Sequence, residues 1–343
     1  MLDPAQIQYA LDAKTKPPGS LGRLEILAGQ LAQVQGSLTP QVDRQRICVF
    51  AASHGIAEEG VSAYPAAVTA QMVLNFLSGG AAICVLCRTQ GIDLRVIDLG
   101  VDEGASPLPW DHSLLRRTAV RPTGTRSFLH EAAMTMEECQ RALKIGAEEV
   151  TLAKTHGVQM LGLGEMGIGN TTSASALGIA LTSLPLELLV GRGTGVDDAV
   201  LGKKQIIVRQ ALAYHSTSMN HPLDWLVAVG GYEIAAMTGA VLEAYAQKLP
   251  LVIDGFIGTA AVLVAHAMEP RVLEVCFFSH CSAESGHAPL LKYLGVRPIL
   301  DLGLRLGEAS GAALAMPILR AAAHMLSDMA TFESAGISDK SNL

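Results

Sequence analysis

What most constrains the fold of this chain is a recurrence of short, unbroken apolar runs with helical stretches between them. The runs are "RICVFAAS" (46–53), "DLRVIDLG" (93–100), "VQMLGLGE" (158–165), "LPLVIDGF" (249–256), "LEVCFFSH" (273–280) and "RPILDLG" (297–303). They are continuous rather than alternating apolar with polar. A strand reads this way when helices cover both faces of its sheet. Helical patterning fills the intervals at 66–90, 131–155, 170–182, 197–219, 232–247, 258–268 and 285–294. Such alternation predicts an α/β fold with a mainly parallel sheet. The ends depart from it. Residues 4–36 and 305–332 are helical in pattern, the first stretch being interrupted by "TKPPGS". We expect the two ends to meet in a small helical domain, 1–36 with 305–343, leaving 37–304 as the α/β domain. The stretch 101–130 is the least core-like and reads as a surface excursion.

Half of the 343 residues are hydrophobic and only 17% are charged, which suits a large core and surface buried in an oligomer. A net charge of −7 with no basic stripe argues against nucleic-acid binding. No apolar run reaches the roughly 18 residues of a membrane span. The polar, amphipathic start "MLDPAQIQYALDAKTKPPGS" does not read as a signal peptide, so the expected compartment is the cytoplasm. Of six cysteines, Cys84 and Cys87 form a C-x-x-C pair inside the apolar helical run "GGAAICVLCR". With no second pair and no H-x-x-x-H spacing, they are expected to be buried thiols, and no metal is expected.

Ligands of open α/β sheets bind beyond the carboxyl ends of the strands. The segments there read "SHGIAEEG" (53–60), "GVDEG" (100–104), "GEMGIGNTT" (164–172), "DGFIGTA" (254–260) and "SHCSAESGH" (279–287). In "GEMGIGNTT" the glycines allow close backbone approach, and Asn170, Thr171 and Thr172 open a helix whose first amides can hold an anion. The same residues also suit a plain glycine turn with an N-cap. A second glycine loop, "GRGTGVDDAVLGKKQ" (191–205), precedes Lys203 and Lys204, which either reach a phosphate or face solvent. Glu58 and Glu59 are paired carboxylates beside His54. Asp254 and His280 each suit an acid, a base or a loop-fixing hydrogen-bonder. No G-x-S-x-G is present, and no Ser/His/Asp set is assignable. The segment "LRLGEASGAALAMPILRAA" (304–322) is built for burial, yet it carries Glu308. A buried carboxylate is costly unless it is paired, hydrogen-bonded or protonated.

The motifs together resemble the nicotinate-nucleotide–dimethylbenzimidazole phosphoribosyltransferase family. The resemblance runs nearly end to end through "KPPGSLGRLE" (16–25), "HGIAEEGVSAYPAAVTAQM" (54–72), "GEMGIGNTT", "VGGYEIAAMTGA" (229–240), "DGFIGTAA" (254–261), "SHCSAE" (279–284) and "LRLGEASGAALAMPI" (304–318). It implies a Rossmann-like sheet with a helical domain from both termini. It also implies a homodimer with the active site near the subunit interface, and no cofactor or metal. The implied reaction moves the 5-phosphoribosyl group of nicotinate mononucleotide to 5,6-dimethylbenzimidazole, giving α-ribazole 5′-phosphate and nicotinate. Residue by residue, Glu308 falls on the catalytic glutamate and Glu165 on a second functional glutamate near the donor. Gly167, Asn170 and Thr171 match the nucleotide loop, and Lys204 and Ser282 match positions near phosphate and ribose. Met166 joins Tyr64 and Met72 in the expected acceptor slot. At Tyr64 some members carry Ser and at Met72 some carry Gln, so another benzimidazole, adenine or a phenolic acceptor is the alternative base. From other classes, a nucleotide-dependent oxidoreductase would need G-x-G-x-x-G after the first strand, and none is there. A nucleotide sensor would leave Glu308 without a role.

Overall fold

The computed structural model of the chain describes residues 2–193 and 195–338; Thr194 of the second glycine loop and residues 339–343 of the expected helical domain lie outside the described residues. The strands are β1 (Gln45–Ala51), β2 (Asp93–Asp98), β3 (Leu115–Arg117), β4 (Met160–Met166), β5 (Leu251–Ile253) and β6 (Cys276–Phe278). They form one six-stranded sheet in the order β3-β2-β1-β4-β5-β6, every neighbouring pair parallel. The helices are α1 (Pro4–Asp12), α2 (Arg23–Gln35), α3 (Val68–Leu77), α4 (Ala82–Gln90), α5 (Met136–Thr155), α6 (Asn170–Thr182), α7 (Leu186–Leu189), α8 (Asp198–His215), α9 (Pro222–Val229), α10 (Tyr232–Gln247), α11 (Gly255–Met268), α12 (His287–Tyr293), α13 (Ser310–Asp328) and α14 (Phe332–Ala335).

Successive strand residues alternate between two apolar clusters. Cys48, Phe50, Ile97, Leu161, Leu163 and Ile253 join one, beneath α5, α6, α10 and α11. Ile47, Val49, Val96, Met160 and Val252 join the other, beneath α2, α3, α4 and α13. Both faces are covered, which is why the strand sequences are continuously apolar. In β4 the pattern includes a device for close packing. Gly162 and Gly164 share the face under α13, where a Cβ on Gly162 would lie 2.9 Å from Met316 and one on Gly164 2.6 Å from the Ala309 amide. Bare backbone at these two positions lets the start of α13 settle onto the sheet.

Four expectations need correction. The run 297–303 is not a strand. It follows the end of β6 as an extended segment, with Ile299 N–H bonding Phe278 O at 2.8 Å and a single bridge between His280 and Leu300. Asp301–Gly303 then leaves for solvent, with Gly303 at φ 66°. The excursion 101–130 contains β3, whose "LRR" has no apolar signature because its arginines pair outward. Arg116 pairs with Glu148 and Glu149 of α5, while Arg117 pairs with Glu103 and stacks over Trp110 at 4.3 Å. The same excursion also buries Phe128 completely. The helical stretch 66–90 is two helices, broken at Gly79 (φ 75°). Finally, 222–229 is the short helix α9, which falls between two longer helical patterns.

Val68–Gln90 is long and apolar enough to cross a membrane. It is folded as α3 and α4, which place Val73, Phe76, Ile83 and Cys84 in the second cluster. The ends of the chain meet directly. Thr15 N–H bonds Ala330 O and Phe332 N–H bonds Ala13 O, both at 3.0 Å, and α2 packs on α13. Ile7, Leu11 and Leu31 from the N-terminal helices lie in the same cluster as Ile47 and Met160 of the sheet. Cys84 and Cys87 are buried free thiols.

Candidate active site

The strand order reverses direction between β1 and β4, and a doubly wound sheet opens a crevice there, at the carboxyl ends. Beyond β4 the chain turns through Gly167-Ile168-Gly169 into α6. Gly167 packs so closely that a Cβ would sit 2.6 Å from Ala52 O, just past β1. The Ile168 amide is fixed by Thr69 Oγ1 of α3 at 3.1 Å. Helix α6 starts without a side-chain cap; its Asn170 and Thr172 amides are taken up by Gly167 O at 3.1 Å and Gly169 O at 2.9 Å within the turn itself. A cleft of about 120 Å³ lies here, between the ends of β4, β5 and β6 and the 305–307 segment.

Glu165 and Asp254 line one side of the cleft, and Glu308 lies just behind the lining residue Gly307. Glu165, at the end of β4, accepts from the Asn170 amide group. Burial pushes its carboxyl up to about 8; Asn170 opposes this, while Glu233, Asp254 and Glu308 add to it. Asp254, directly after β5, is pushed up to about 7 by burial, against the pull of the Ala312 and Gly311 amides. Glu308 is 4% exposed, and burial raises its carboxyl, partly offset by the Ile83 amide at the start of α4. Its Oε2 is buried with no hydrogen-bond partner. The backbone around it is strained. Gly307, Glu308 and Ala309 are left-handed in succession, at φ 83°, 62° and 67°. For the two residues with a Cβ this costs roughly 1–2 kcal/mol each. A Cβ at Gly307 would collide with Glu165 Oε1, so glycine there lets the loop pass the neighbouring carboxylate.

The opposite wall is basic and hydroxylic. Lys204 of α8 is 1% exposed; its Nζ donates to Thr171 Oγ1 at 2.8 Å and Gly191 O at 3.2 Å. Burial pulls its pKa down to about 8, partly offset by the Glu284 carboxylate, so the ammonium persists at neutral pH. Glu284 accepts from the Gly193 amide at 3.2 Å and so holds the second glycine loop over the cleft. The Ser282 amide donates to His287 Nδ1 at 2.8 Å, and His287 Nε2 meets Thr259 Oγ1 at 2.9 Å. That network places the single ring proton on Nε2. Burial keeps His287 neutral, down to about 3, and His280 likewise, down to about 4.

Of the residues expected from sequence, Glu165, Met166, Gly167, Asn170, Thr171 and Ser282 line the cleft together. Lys204 stands behind Thr171, and of its two open readings the solvent-facing one is excluded by burial. Glu308 follows the rim residue Gly307, with its carboxylate toward α4. Tyr64 and Met72 do not line the cleft. Tyr64 is 53% exposed, and Met72 packs half-buried on the α3–α4 side, against the same cluster as Met166. Asp254 and His280 line the cleft, whereas Glu59 is turned away to accept from Ser127 Oγ at 2.9 Å. His54 is buried, with Nε2 2.6 Å from Glu233 and Nδ1 3.3 Å from Ser173 Oγ. That array resembles a catalytic triad only in composition, since all three groups are sealed from solvent. Sequence reading missed Glu284, His287 and Arg305 on or beside the cleft. All three lie inside quoted segments, but nothing in their spacing marks their direction.

A family model described as "Phosphoribosyltransferase" matches residues 4–337. A nicotinate-nucleotide–dimethylbenzimidazole phosphoribosyltransferase from Cupriavidus necator is 50% identical over 336 residues, covering 98% of this chain and 95% of that protein. One from Geobacter sp. (strain M21) is 46% identical, covering 97% and 94%. The crystal structure of CobT from Thermus thermophilus superposes with a TM-score of 0.92 at 48% identity, over 98% of both chains. On these likenesses and on its Rossmann-like fold, the chain belongs to the nicotinate-nucleotide–dimethylbenzimidazole phosphoribosyltransferase family.

Proposed function

We propose that this chain transfers the 5-phosphoribosyl group of nicotinate mononucleotide to 5,6-dimethylbenzimidazole, releasing nicotinate and α-ribazole 5′-phosphate in cobalamin nucleotide-loop assembly. The observation that carries the reading is Glu308, a buried carboxylate with an unpartnered oxygen, held in a strained turn beside the cleft. The donor's pyridinium nitrogen takes back the electron pair of its bond to C1′. A benzimidazole ring nitrogen forms the new bond to C1′, and the base's N–H proton passes to Glu308. The transition state is oxocarbenium-like, and the acidic wall offers it carboxyl dipoles, Glu165 being protonated below about 8. Glu165 is that wall's member nearest the nucleotide loop. Gly167, Asn170 and Thr171 at the α6 N-terminus, with Lys204 and Ser282, suit the phosphate and ribose. Tyr64, Met72 and Met166 are our candidates for the flat acceptor.

A panel assay tests this. Nicotinate mononucleotide is mixed with dimethylbenzimidazole, other benzimidazoles, adenine and phenols, and nicotinate release is followed chromatographically. Release that needs an azole is expected; release with no acceptor, or none at all, contradicts the reading. Preference for adenine or a phenol keeps the reaction and changes the base. We also propose a homodimer in the cytoplasm. The exposed apolar Tyr9 and Ile26 on the terminal helices support the dimer, and a monomer mass by light scattering refutes it. The division into 1–36 with 305–343 and 37–304 is likewise our proposal, supported by the bonds between the two ends. Terminal helices that open in hydrogen exchange only together with the sheet contradict it.

A further inference from the structure

The turn carrying Glu308 is held by something far from it in sequence. Helix α13 begins directly after it, and its N-cap residue Ala309 supplies no side-chain acceptor for the first amides. Such donors need partners when buried. Asp254 meets them from across the cleft. Its Oδ1 accepts from Ala312 N–H at 2.9 Å, and the Gly311 and Ala309 amides also favour its charged form. Asp254 itself occupies the N-cap position of α11, yet it makes no side-chain bond to that helix. Its carboxylate is diverted from its own helix to the one that starts after Glu308. From the β6 side, Ser279 Oγ donates to the same oxygen at 3.4 Å and His280 Nδ1 lies 3.5 Å away.

We propose that Asp254 is the positioning residue of Glu308. By capping α13 it holds Gly307–Glu308–Ala309 left-handed, and with that turn it fixes where the Glu308 carboxylate points. The inference rests on Glu308 acting as the base. In this role Asp254 works through Glu308 and touches no reacting atom. Because Asp254 also lines the cleft, the competing role is direct contact with the donor.

The test uses the full chain carrying Asp254→Ala, Asp254→Asn, Glu308→Gln and the Asp254→Asn/Glu308→Gln double, with two readouts. In hydrogen exchange, Asp254→Ala is expected to speed the 309–312 amides about 10-fold or more while α11 stays unchanged. In steady-state transfer, Asp254→Ala is expected to lower kcat about 10–100-fold, with the donor KM within about twofold. Asp254→Asn keeps the acceptor oxygen without the charge, so it should fall between Ala and wild type. It also serves as the test variant if Ala does not fold. The double variant is expected to be no slower than Glu308→Gln alone. Unchanged exchange at 309–312, a raised donor KM at normal kcat, or an additive double overturns the proposal. Wild-type turnover in Glu308→Gln would instead sink the base assignment, leaving the exchange readout to decide whether Asp254 holds the turn.

Discussion

At the scale of single residues, the site is governed by what burial does to charge. Glu308 sits among small apolar neighbours, and desolvation raises its carboxyl toward the range where it accepts a proton efficiently. Glu308→Gln keeps the shape and removes the basicity. It should cut kcat by about 10²–10⁴-fold and leave the donor KM nearly unchanged, which initial-rate kinetics checks. The acid limb of kcat/KM should lie above the ordinary glutamate value of 4.5. A limb at or below 4.5 would mean that Glu308 is not the group titrating. Lys204 acts by position and charge. Lys204→Ala should raise the KM for nicotinate mononucleotide roughly 10-fold or more, and that for the base by less. Burial also means that losing the ammonium leaves Thr171 and Gly191 with unmet partners. A melting curve therefore has to accompany the kinetics.

At the scale of elements, bare backbone does most of the positioning. The glycines at 162 and 164 set the depth of α13, and Gly307 lets the Glu308 turn pass Glu165. A similar contact, far from the site, joins α5 to α10. A Cβ on Gly146 would collide with Ala236 O, and one on Gly239 with Leu143 O. Gly146→Ala should therefore destabilise the protein by about 1–3 kcal/mol through forced separation of the two helices. At permissive temperature its kcat should stay near wild type. Denaturant unfolding beside kinetics checks both halves, and a variant of normal stability would refute the packing claim. Much at this scale was legible in the chain: five of the six strands are continuous apolar runs. The sixth, β3, was hidden because Arg116 finds its partners on α5 and Arg117 on Glu103, pairings that no local pattern reveals. The run at 297–303 misled for the opposite reason: it is apolar enough for a strand but meets β6 itself only where Ile299 N–H bonds Phe278 O, its other bonds falling on 279–281 beyond the strand.

At the scale of the whole molecule, crowded carboxylates shape stability as well as chemistry. Folded, Glu165 keeps its proton up to about 8 and Asp254 up to about 7. The unfolded chain releases both near pH 4. Between about pH 5 and 8 the folded state therefore binds more protons than the unfolded one, and stability falls as pH rises. The melting temperature should decline across that window, and Glu165→Gln should flatten the decline. A flat wild-type profile would show that these carboxylates ionise freely. Lys204 acts in a different window. Its folded pKa of about 8 lies below the ordinary lysine value of 10.5, so its contribution rises with pH between those values.

The sequence alone determined the layered α/β plan, the place of the glycine loops and the set of residues from which the site is drawn. Periodicity and residue type are local properties, written wherever a segment must be buried on both faces or must turn. The tertiary structure decided what local pattern cannot carry. It turned Lys204 inward, left Tyr64 and Met72 off the cleft, and sent the Asp254 carboxylate past its own helix to Ala312, 58 residues away. Direction and long-range partnership depend on how the layers pack, and packing is settled only when strands distant in sequence lie side by side.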